Sequence, residues 1–412
     1  MCLAAICALL VLVFASSSAP AATSEGFCDG LRSRLLRGGG NASGLLVLDA
    51  DTGATVCARA AAHRRSLASN TKLFTTATAL ARLGPRSRIP TRVVSSGELD
   101  ADGILHGNLY LVGGGDPALG TPSFYDRYQA GLGTPLPALV TRIKAAGIRA
   151  VTGRLYADDT IFDRLRGVAD SGYATSPYIG PLSGLSFDAG YQGPGLNGFA
   201  SDPAKLAAST LDAILRKRGV RLKPRIALGK APHDARQVAA IRSPLLTRLV
   251  DLTDVYSNNF FAEMLIKLLG ARFGGGGTTA KGAEVVTAFA RGHGSGVHAV
   301  DGSGLTRSNR ASPAEVVSLL RSMRSTFAGE ELIQDMALAG KEGTVADRMH
   351  GTAAYGRCRT KTGTLTGVSN LSGYCFNRDG KTMIFSILMN GVRDLSLAHR
   401  EQDRIAGAIA SY

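Results

Sequence analysis

The 412-residue chain has 45% hydrophobic and 19% charged residues, which excludes a disordered or coiled-coil protein and is typical of a globular one. Its length allows two or three domains. The 47 Lys and Arg outnumber the 32 Asp and Glu, which gives a formal charge of +15. Because these basic residues are scattered, we expect no nucleic-acid partner. A solvated basic surface is the simplest interpretation, and attraction to an anionic wall polymer is the alternative.

The first residues predict an export signal. Residues 3–14 form an apolar segment too short to span a bilayer, and Ala19-Pro20-Ala21 fits a small-x-small cleavage site. We therefore predict that residues 1–22 are a signal peptide. No Lys or Arg precedes the apolar segment, so either the start codon lies elsewhere or the signal is unusual. No second apolar stretch of about 18 residues follows, so we expect an exported protein, periplasmic, extracellular or in the cell wall, without a stable transmembrane anchor.

The next elements alternate as expected for a mixed α/β chain. Residues 27–37 predict a short helix, and 45–48 and 55–58 predict two strands joined at a turn that contains Gly53. Apolar residues at helical spacing predict a helix over 70–83, which Gly84-Pro85 ends.

The rest of the chain divides into two patterns. Residues 86–245 read as short strands and turns with helices near 136–146 and 203–218, which indicates an inserted accessory domain. After it, helices are predicted near 257–269, 281–291, 313–323 and 396–410, and strands at 357–365, 371–376 and 382–389. We therefore predict a main domain formed by 24–85 plus 246–412.

Ser69 and Lys72 begin the helix predicted over 70–83. Their three-residue offset places both side chains on one helical face. A lysine with a lowered pKa can take the proton of serine, which is otherwise a poor nucleophile, and the helix N-terminus offers N–H groups to an oxyanion. One Ser-x-x-Lys is expected by chance in such a chain, however, and an N-cap serine beside a solvated lysine would also explain it.

Two further motifs make the pattern specific. Ser257-Asn258-Asn259 is the only Ser-x-Asn of the chain, and Lys361-Thr362-Gly363 is the only Lys-Thr-Gly. The order Ser-x-x-Lys, Ser-x-Asn, Lys-Thr-Gly is that of penicillin-binding proteins and class A β-lactamases. Tyr256 and Asn258 could instead form a Tyr-x-Asn second motif, but the residues that follow favour Ser257 and Asn259.

With these motifs the chain resembles the D-alanyl-D-alanine carboxypeptidase/endopeptidase family, peptidase family S13 or class C low-molecular-mass penicillin-binding proteins. The matching stretches are 69–77, 108–117, 257–265, 301–307 and 361–369. This family inserts domains between the first two motifs, which fits the long interval from Ser69 to Ser257. The chain runs almost directly from Gly190 to Pro203, where family members carry more β-rich sequence, so we expect a reduced inserted domain.

The resemblance implies an α/β (α+β) fold of the penicillin-binding-protein/β-lactamase-like serine transferase type, with an antiparallel sheet flanked by helices. It implies hydrolysis of D-Ala-D-Ala, and as a further activity of D-Ala-diaminopimelate cross-links, in peptidoglycan stem peptides. The reaction would use an acyl-enzyme and no cofactor, and β-lactam antibiotics would be covalent inhibitors. A serine β-lactamase and a non-catalytic peptidoglycan-binding protein of the same fold are the alternatives, but no Glu is followed by Asn at the spacing of the class A deacylation loop.

The resemblance also implies residue roles. Ser69 would be the nucleophile and Lys72 its base, while Ser257 would relay the proton to the leaving D-alanine. Asn259 would hold the substrate amide, and Lys361 would attract the terminal carboxylate. The backbone N–H groups of Ser69 and Thr364 would form the oxyanion hole, and Arg307 would meet an acidic side chain of the stem peptide. The substrate-binding positions are then Thr362, Gly363, Thr364 and Arg307.

Four cysteines remain after the leader. There is no Cys-x-x-Cys or His-Glu-x-x-His to support a zinc site, and an even number in an exported chain permits disulfides. Cys358 and Cys375 are equally far from the turn at 366–367, so a hairpin would place them opposite one another and we predict a bond between them. Two unpaired buried cysteines are the alternative. Cys28 and Cys57 are the remaining pair.

Overall fold

The structure is a computed structural model that describes residues 21–193, 196–223, 226–377 and 379–412. Residues 1–20, most of the predicted signal peptide, lie outside these ranges. The described residues form eleven α-helices: α1 (Ala21–Gly39), α2 (Thr71–Leu83), α3 (Pro122–Tyr128), α4 (Pro137–Ala145), α5 (Pro203–Lys217), α6 (Leu246–Val255), α7 (Asn259–Phe273), α8 (Thr279–Gly292), α9 (Pro313–Arg324), α10 (Gly329–Gln334) and α11 (Leu395–Ser411).

The same ranges contain nineteen strands, many of them only two residues long. They are β1 (Gly44–Asp49), β2 (Thr55–Arg59), β3 (Arg65–Ser66), β4 (Pro90–Ser95), β5 (Glu98–Leu99), β6 (Ile104–His106), β7 (Leu109–Val112), β8 (Leu119–Gly120), β9 (Thr134–Pro135), β10 (Ala150–Val151), β11 (Leu155–Asp158), β12 (Arg221–Leu222), β13 (Ile226–Leu228), β14 (Arg236–Arg242), β15 (Arg310–Ala311), β16 (Ala337–Leu338), β17 (Cys358–Leu365), β18 (Val368–Phe376) and β19 (Thr382–Asn390).

A six-stranded antiparallel sheet organises the main part of the molecule, in the order β16-β17-β18-β19-β1-β2. The N-terminal hairpin therefore joins the last strands of the chain, and Gly44 pairs with Leu388. Successive side chains of a strand point to opposite faces, and here both faces are covered. Leu45 and Val47 enter one apolar cluster, whereas Leu46 between them enters the other.

Helices cover both faces of this sheet. On one face, α1 and α11 pack with Leu31, Leu35 and Ile405 buried. On the other, α2 and α6 to α9 share a second apolar cluster with the sheet. Every residue of α7 from Phe260 to Gly270 is buried, as expected for a helix enclosed on all sides. The predicted arrangement of an antiparallel sheet between helical layers is thus the observed one.

Residues 90–242 form two larger sheets with their own apolar cluster, besides the short parallel pair β8–β9. One has the order β13-β11-β7-β4-β14 and the other β12-β10-β6-β5, and both mix parallel and antiparallel neighbours. Tyr191 and Phe199 form an antiparallel bridge in the short connection to α5. The boundaries proposed for the inserted domain, 86–245, stay a prediction.

Two disulfides involve the main sheet, one within it and one between it and α1. Cys358 stands directly opposite Cys375 in the β17–β18 register, with the Cα atoms 4.1 Å apart. Cys28 of α1 is bonded to Cys57 of β2, with a Cα–Cα distance of 5.1 Å. Both predicted pairs are therefore disulfides in the structure.

Candidate active site

The predicted nucleophile and base lie at the start of α2. Ser69 belongs to a 3-10 turn, Ala68–Asn70, that runs directly into the helix, and Lys72 follows one turn later. The Lys72 Nζ is 3.0 Å from Ser69 Oγ. It also donates to Asn259 Oδ1 and to the Ser303 carbonyl oxygen, at 2.8 Å each. Lys72 is fully buried, and the three oxygens around its amine, from Ser69, Asn259 and Ser303, are all uncharged.

The electrostatics of Lys72 favour a neutral amine. Burial lowers its pKa well below the usual value, because the charged form loses its hydration. The positive charge of Lys361 lowers the pKa further, while Asp254, Glu263 and Asp301 act in the opposite direction. A neutral lysine beside a serine hydroxyl is the form that can accept its proton.

Ser257 and Lys361 form a second pair in the same cluster. Lys361 Nζ donates to Ser257 Oγ and to the carbonyl of Thr362, both at 3.0 Å. Burial lowers the pKa of Lys361 to about 8, against the attraction of Asp254. Ser257 has a φ of +57°, a left-handed conformation that is costly for a residue with a Cβ and is held here just before α7.

The next two residues separate the two possible registers of the second motif. Asn259 begins α7 and contacts Lys72, and its Nδ2 donates to the Tyr178 carbonyl at 3.1 Å. Asn258 instead caps the helix by accepting from the N–H of Phe261 at 3.1 Å. The side chain of Tyr256 is exposed. The structure thus places Ser257 and Asn259, the favoured register, against the two lysines.

The Lys-Thr-Gly strand lies against the nucleophile turn. A Cβ added at Gly363 would be 2.8 Å from the Leu67 carbonyl oxygen and 3.1 Å from the Ser69 nitrogen, so only glycine allows this approach. Asn70 fixes the same contact by donating its Nδ2 to the Lys361 carbonyl at 2.9 Å. Thr362 Oγ1 donates to Thr344 Oγ1 at 2.8 Å.

The remaining predicted residues lie at the edge of this cluster. Thr364 is exposed near the end of β17. Arg307 is also outside the lysine cluster: its guanidinium donates to the Thr366 carbonyl, and its backbone N–H donates to Asp170 Oδ2 at 3.2 Å. Arg307 therefore lies beside the turn that follows the Lys-Thr-Gly strand.

Several residues of the site were not predicted from the sequence. Glu263 and Asp254 are buried acids close to the lysines, and the signal that could have found them is a carboxylate within an otherwise apolar helix. Tyr178 and Ser303 contribute backbone carbonyls, which cannot be predicted from the residue type because every residue has one. Across the described ranges, no group of three or more His, Cys, Asp or Glu side chains is arranged to hold a metal ion.

Comparison with known proteins gives the family. The model of the D-Ala-D-Ala carboxypeptidase 3 (S13) family matches residues 31–198 and 195–412. The D-alanyl-D-alanine carboxypeptidase of Actinomadura sp. (strain R39) is 31% identical over 90% of this chain and 82% of its own length. The chain belongs to the S13 family. Carboxypeptidase DacB of Mycolicibacterium smegmatis is similar to this S13 protein at 27% identity, over 90% of the chain and 82% of that protein.

Solved structures give the fold. Penicillin-binding protein 4 (dacB) of Haemophilus influenzae superposes with a TM-score of 0.78 at 20% identity, over 93% of this chain and 99% of that one. The Bd3459 endopeptidase of Bdellovibrio bacteriovorus superposes with a TM-score of 0.55 at 18% identity, over 88% of this chain and 90% of that one. The predicted family, fold class and assignment as a serine DD-carboxypeptidase are confirmed for this S13 protein.

Proposed function

We propose that this S13 enzyme hydrolyses the terminal D-Ala-D-Ala bond of peptidoglycan stem peptides through an acyl-enzyme on Ser69. The observation that carries the proposal is the buried Lys72 amine, which is 3.0 Å from the Ser69 hydroxyl and has no hydrogen-bonded carboxylate among the described residues. A serine hydroxyl needs such a base, and general base catalysis contributes about 10²- to 10⁴-fold.

The first half-reaction uses the two serines in turn. Ser69 Oγ attacks the carbonyl carbon of the penultimate D-alanine, and its proton passes to Lys72. Ser257, hydrogen-bonded to Lys361, relays a proton to the nitrogen of the leaving D-alanine as the C–N bond breaks. Water then hydrolyses the acyl-serine ester: its hydroxyl bonds to the acyl carbon, and its other proton goes to Ser69 Oγ. Asn259 would orient the substrate amide at the same end of α7.

The Lys-Thr-Gly strand would bind the other end of the substrate. A protonated Lys361 attracts the terminal carboxylate, and Thr362 would hydrogen-bond it. The N–H groups of Ser69 and Thr364 would receive the oxyanion, since Gly363 brings this strand against the nucleophile turn. Gly363 itself matters because any side chain there would separate the two donors.

The decisive test is labelling with a radioactive or fluorescent penicillin, followed by peptide mapping. β-Lactams would acylate Ser69 covalently, as they mimic the D-Ala-D-Ala bond; a β-lactam complex is known for the Haemophilus penicillin-binding protein 4. Ser69→Ala should abolish the label while Ser318→Ala, a serine on α9 that bonds the His293 carbonyl, should keep it. Label on another serine would refute the assignment. Rapid release of the label would indicate a β-lactamase.

Substrate turnover tests the remaining alternatives. Release of D-alanine from a D-Ala-D-Ala peptide separates an enzyme from a non-catalytic wall-binding protein. We further propose endopeptidase activity on D-Ala-diaminopimelate cross-links, which the name of the Bdellovibrio structure supports for that relative. Cross-linked muropeptides are the substrate for this test, and their persistence alongside D-alanine release would restrict the activity to carboxypeptidase.

We propose that Arg307 recognises an anionic side chain of the stem peptide. A guanidinium suits a carboxylate because two of its N–H groups can bond it in parallel. The side chain is exposed and lies beside the Thr366 carbonyl, next to the strand of Lys361. Arg307→Ala should lower kcat/KM by about ten- to a hundredfold on a substrate with a free anionic side-chain terminus. Equal loss on a neutralised substrate would contradict it.

We also propose that the protein is exported. The apolar leader and two disulfides fit an oxidising compartment, because thiols stay reduced in the cytosol. No helix in the described part of the chain is long and apolar enough to cross a bilayer. Cell fractionation with thiol counting on unreduced protein tests this: four free thiols in the mature chain would contradict it.

A further inference from the structure

The partners of Lys72 restrict where its lone pair can point. A neutral amine has two N–H groups and one lone pair, and Lys72 Nζ has three oxygen neighbours. The Ser303 carbonyl can only accept. Asn259 Oδ1 can also only accept, and the amide cannot flip without losing the bond from its Nδ2 to the Tyr178 carbonyl. Both N–H groups are therefore taken, and the lone pair faces Ser69 Oγ, the one neighbour able to donate.

The backbone that leads to one of these acceptors, the Ser303 carbonyl, is held by a buried carboxyl group. Glu263 Oε1 accepts from the N–H of Gly302 at 3.0 Å and from the N–H of Ser303 at 2.7 Å. Thr75 Oγ1 donates to the Gly302 carbonyl at 3.0 Å. A Cβ at Gly302 would lie 2.4 Å from the Ala262 carbonyl oxygen, so this loop rests directly on the backbone of α7.

A second buried acid shapes the loop itself. Asp301 accepts from the N–H groups of Gly304 at 2.7 Å and Thr306 at 2.8 Å. Asp301 thus closes the turn, whereas Glu263 fastens the turn to α7. Asn259 is on the same helix, one turn before Glu263. Helix α7 therefore supplies one acceptor of the Lys72 amine directly, through Asn259, and anchors the backbone that leads to the other. The peptide unit that carries the Ser303 carbonyl is itself held by Asp301, through the N–H of Gly304.

We propose that Glu263 is a positioning residue for acylation, which holds the Gly302–Ser303 backbone so that the Ser303 carbonyl takes a Lys72 N–H and leaves the lone pair on Ser69. Among the described residues, the hydrogen bonds of Glu263 go to the Gly302 and Ser303 N–H groups and not to Ser69 or the Lys-Thr-Gly strand, so Glu263 would position Lys72 through the loop. The inference rests on the proposed function and adds a residue to it.

The protonation state of Glu263 suits this role. Burial and the neighbouring Asp301 raise the pKa of Glu263 to about 8, so its carboxyl is neutral near pH 7 and Oε1 acts as a carbonyl acceptor. Its charged or titratable neighbours are Asp301, Lys72 and Lys267. An ionised Glu263 would favour the ammonium form of Lys72 and so reduce the fraction of neutral base.

The test compares Glu263→Gln with Glu263→Asp by the second-order rate constant for acylation with labelled penicillin, between about pH 6 and 10. Glutamine keeps a carbonyl acceptor in place and should stay within about threefold of wild type at pH 7. Aspartate withdraws the acceptor by one methylene and should be slower by about tenfold or more. Above about pH 8 the acylation rate of Glu263→Gln, divided by that of wild type, should rise. Only wild type then gains a negative charge at position 263.

A matched control separates positioning from stability. Glu401 is also fully buried, on α11, and accepts from Arg37 and Arg404, so Glu401→Asp should lower the Tm without slowing acylation. The inference is overturned if Glu263→Gln is as slow as Glu263→Asp, or if Glu263→Asp matches wild type. Should Glu263→Asp fail to fold, Glu263→Met takes its place, because methionine keeps the volume without an acceptor; acylation of Glu263→Met at the wild-type rate would overturn the inference. A wild-type protein that is not labelled at all would refute the proposed function instead.

Discussion

Two buried lysines of this molecule have opposite surroundings. Lys72 on α2 and Lys267 on α7 are both fully buried. Lys72 has three neutral oxygens around its amine, whereas Lys267 is ion-paired with Asp163, which follows β11. Burial lowers the pKa of both, but the hydrogen bond and charge of Asp163 oppose the lowering at Lys267.

The difference separates two environments of a buried lysine: Lys72 has the surroundings of a general base, and Lys267 has those of a structural ion pair. Acids do lie near Lys72, but none of the described carboxylates is hydrogen-bonded to it. Burial and Asp301 raise the pKa of Glu263 to about 8, so Glu263 carries little negative charge near pH 7, whereas Asp254, whose pKa burial raises to about 6, keeps most of its charge. We infer that the role proposed for Lys72 needs an amine without a hydrogen-bonded carboxylate. Lys267 instead links α7 to residues 90–242 through its ion pair with Asp163.

The largest expected effect is on catalysis at Lys72. Lys72→Met should slow acylation by at least about a thousandfold, because methionine fills the space but offers no base. The measurement is the rate of penicillin acylation, with mass spectrometry of the modified peptide. Lys267→Met is the matched control and should stay within about threefold of wild type. Similar losses in both variants would mean that the two lysines do not differ in role.

The next effect is on stability at Lys267. Lys267→Met should lower the free energy of unfolding by about 3 kcal/mol, because it leaves the partly buried Asp163 carboxylate without its cation. Urea unfolding followed by circular dichroism measures it. The double variant Lys267→Met/Asp163→Leu should recover part of the loss, since no charge is then left unpaired. If the double variant is as unstable as the sum of the singles, the pair is not coupled.

The third prediction concerns Lys361, a buried lysine that would have to stay charged for the proposed binding of the substrate carboxylate. Its lowered pKa of about 8 means that it deprotonates as the pH rises through that value. We expect kcat/KM for a D-Ala-D-Ala peptide to fall about tenfold per pH unit above about pH 8. In Lys361→Arg this alkaline decline should move to much higher pH, whatever the absolute rate. A decline at the same pH in both proteins would assign it to another group.

Much of this arrangement follows from local patterns. The helix predicted near 203–218 is α5, and the Asp202 side chain caps it by accepting from the Lys205 N–H. The equal spacing of Cys358 and Cys375 about their turn predicts a pairing that the β17–β18 register contains. The three motifs predict the residues that meet around Lys72: the first two stand at the starts of α2 and α7, and the third lies within β17.

What the sequence could not supply depends on tertiary contacts. Helix α6 was not predicted, although its Asp254 lies near both Lys72 and Lys361. The third partner of Lys72 is the backbone of Ser303, and any residue has a carbonyl. The Lys267–Asp163 pair joins positions 104 residues apart, and neither residue type indicates the other. These contacts of Lys72 and Lys267 form only when α7, the loop before α9 and residues 90–242 pack together.

The smallest predicted effect is the stability of the Lys72 variant, and its sign is opposite to that at Lys267. Lys72→Met should raise the free energy of unfolding by about 1 kcal/mol at pH 7, since it removes a buried amine that lacks a counter-ion and keeps the side-chain volume. The pKa of Lys72 is lowered in the folded state, so the penalty is complete at pH values below that folded pKa. Between the folded and unfolded pKa the unfolded chain binds more protons, and wild-type stability rises with pH. The advantage of the variant should therefore shrink as the pH approaches about 10.5, the ordinary lysine value. Thermal unfolding of wild type, Lys72→Met and Lys267→Met across this range measures it, and a Lys72→Met loss as large as that of Lys267→Met would remove the distinction between the two lysines.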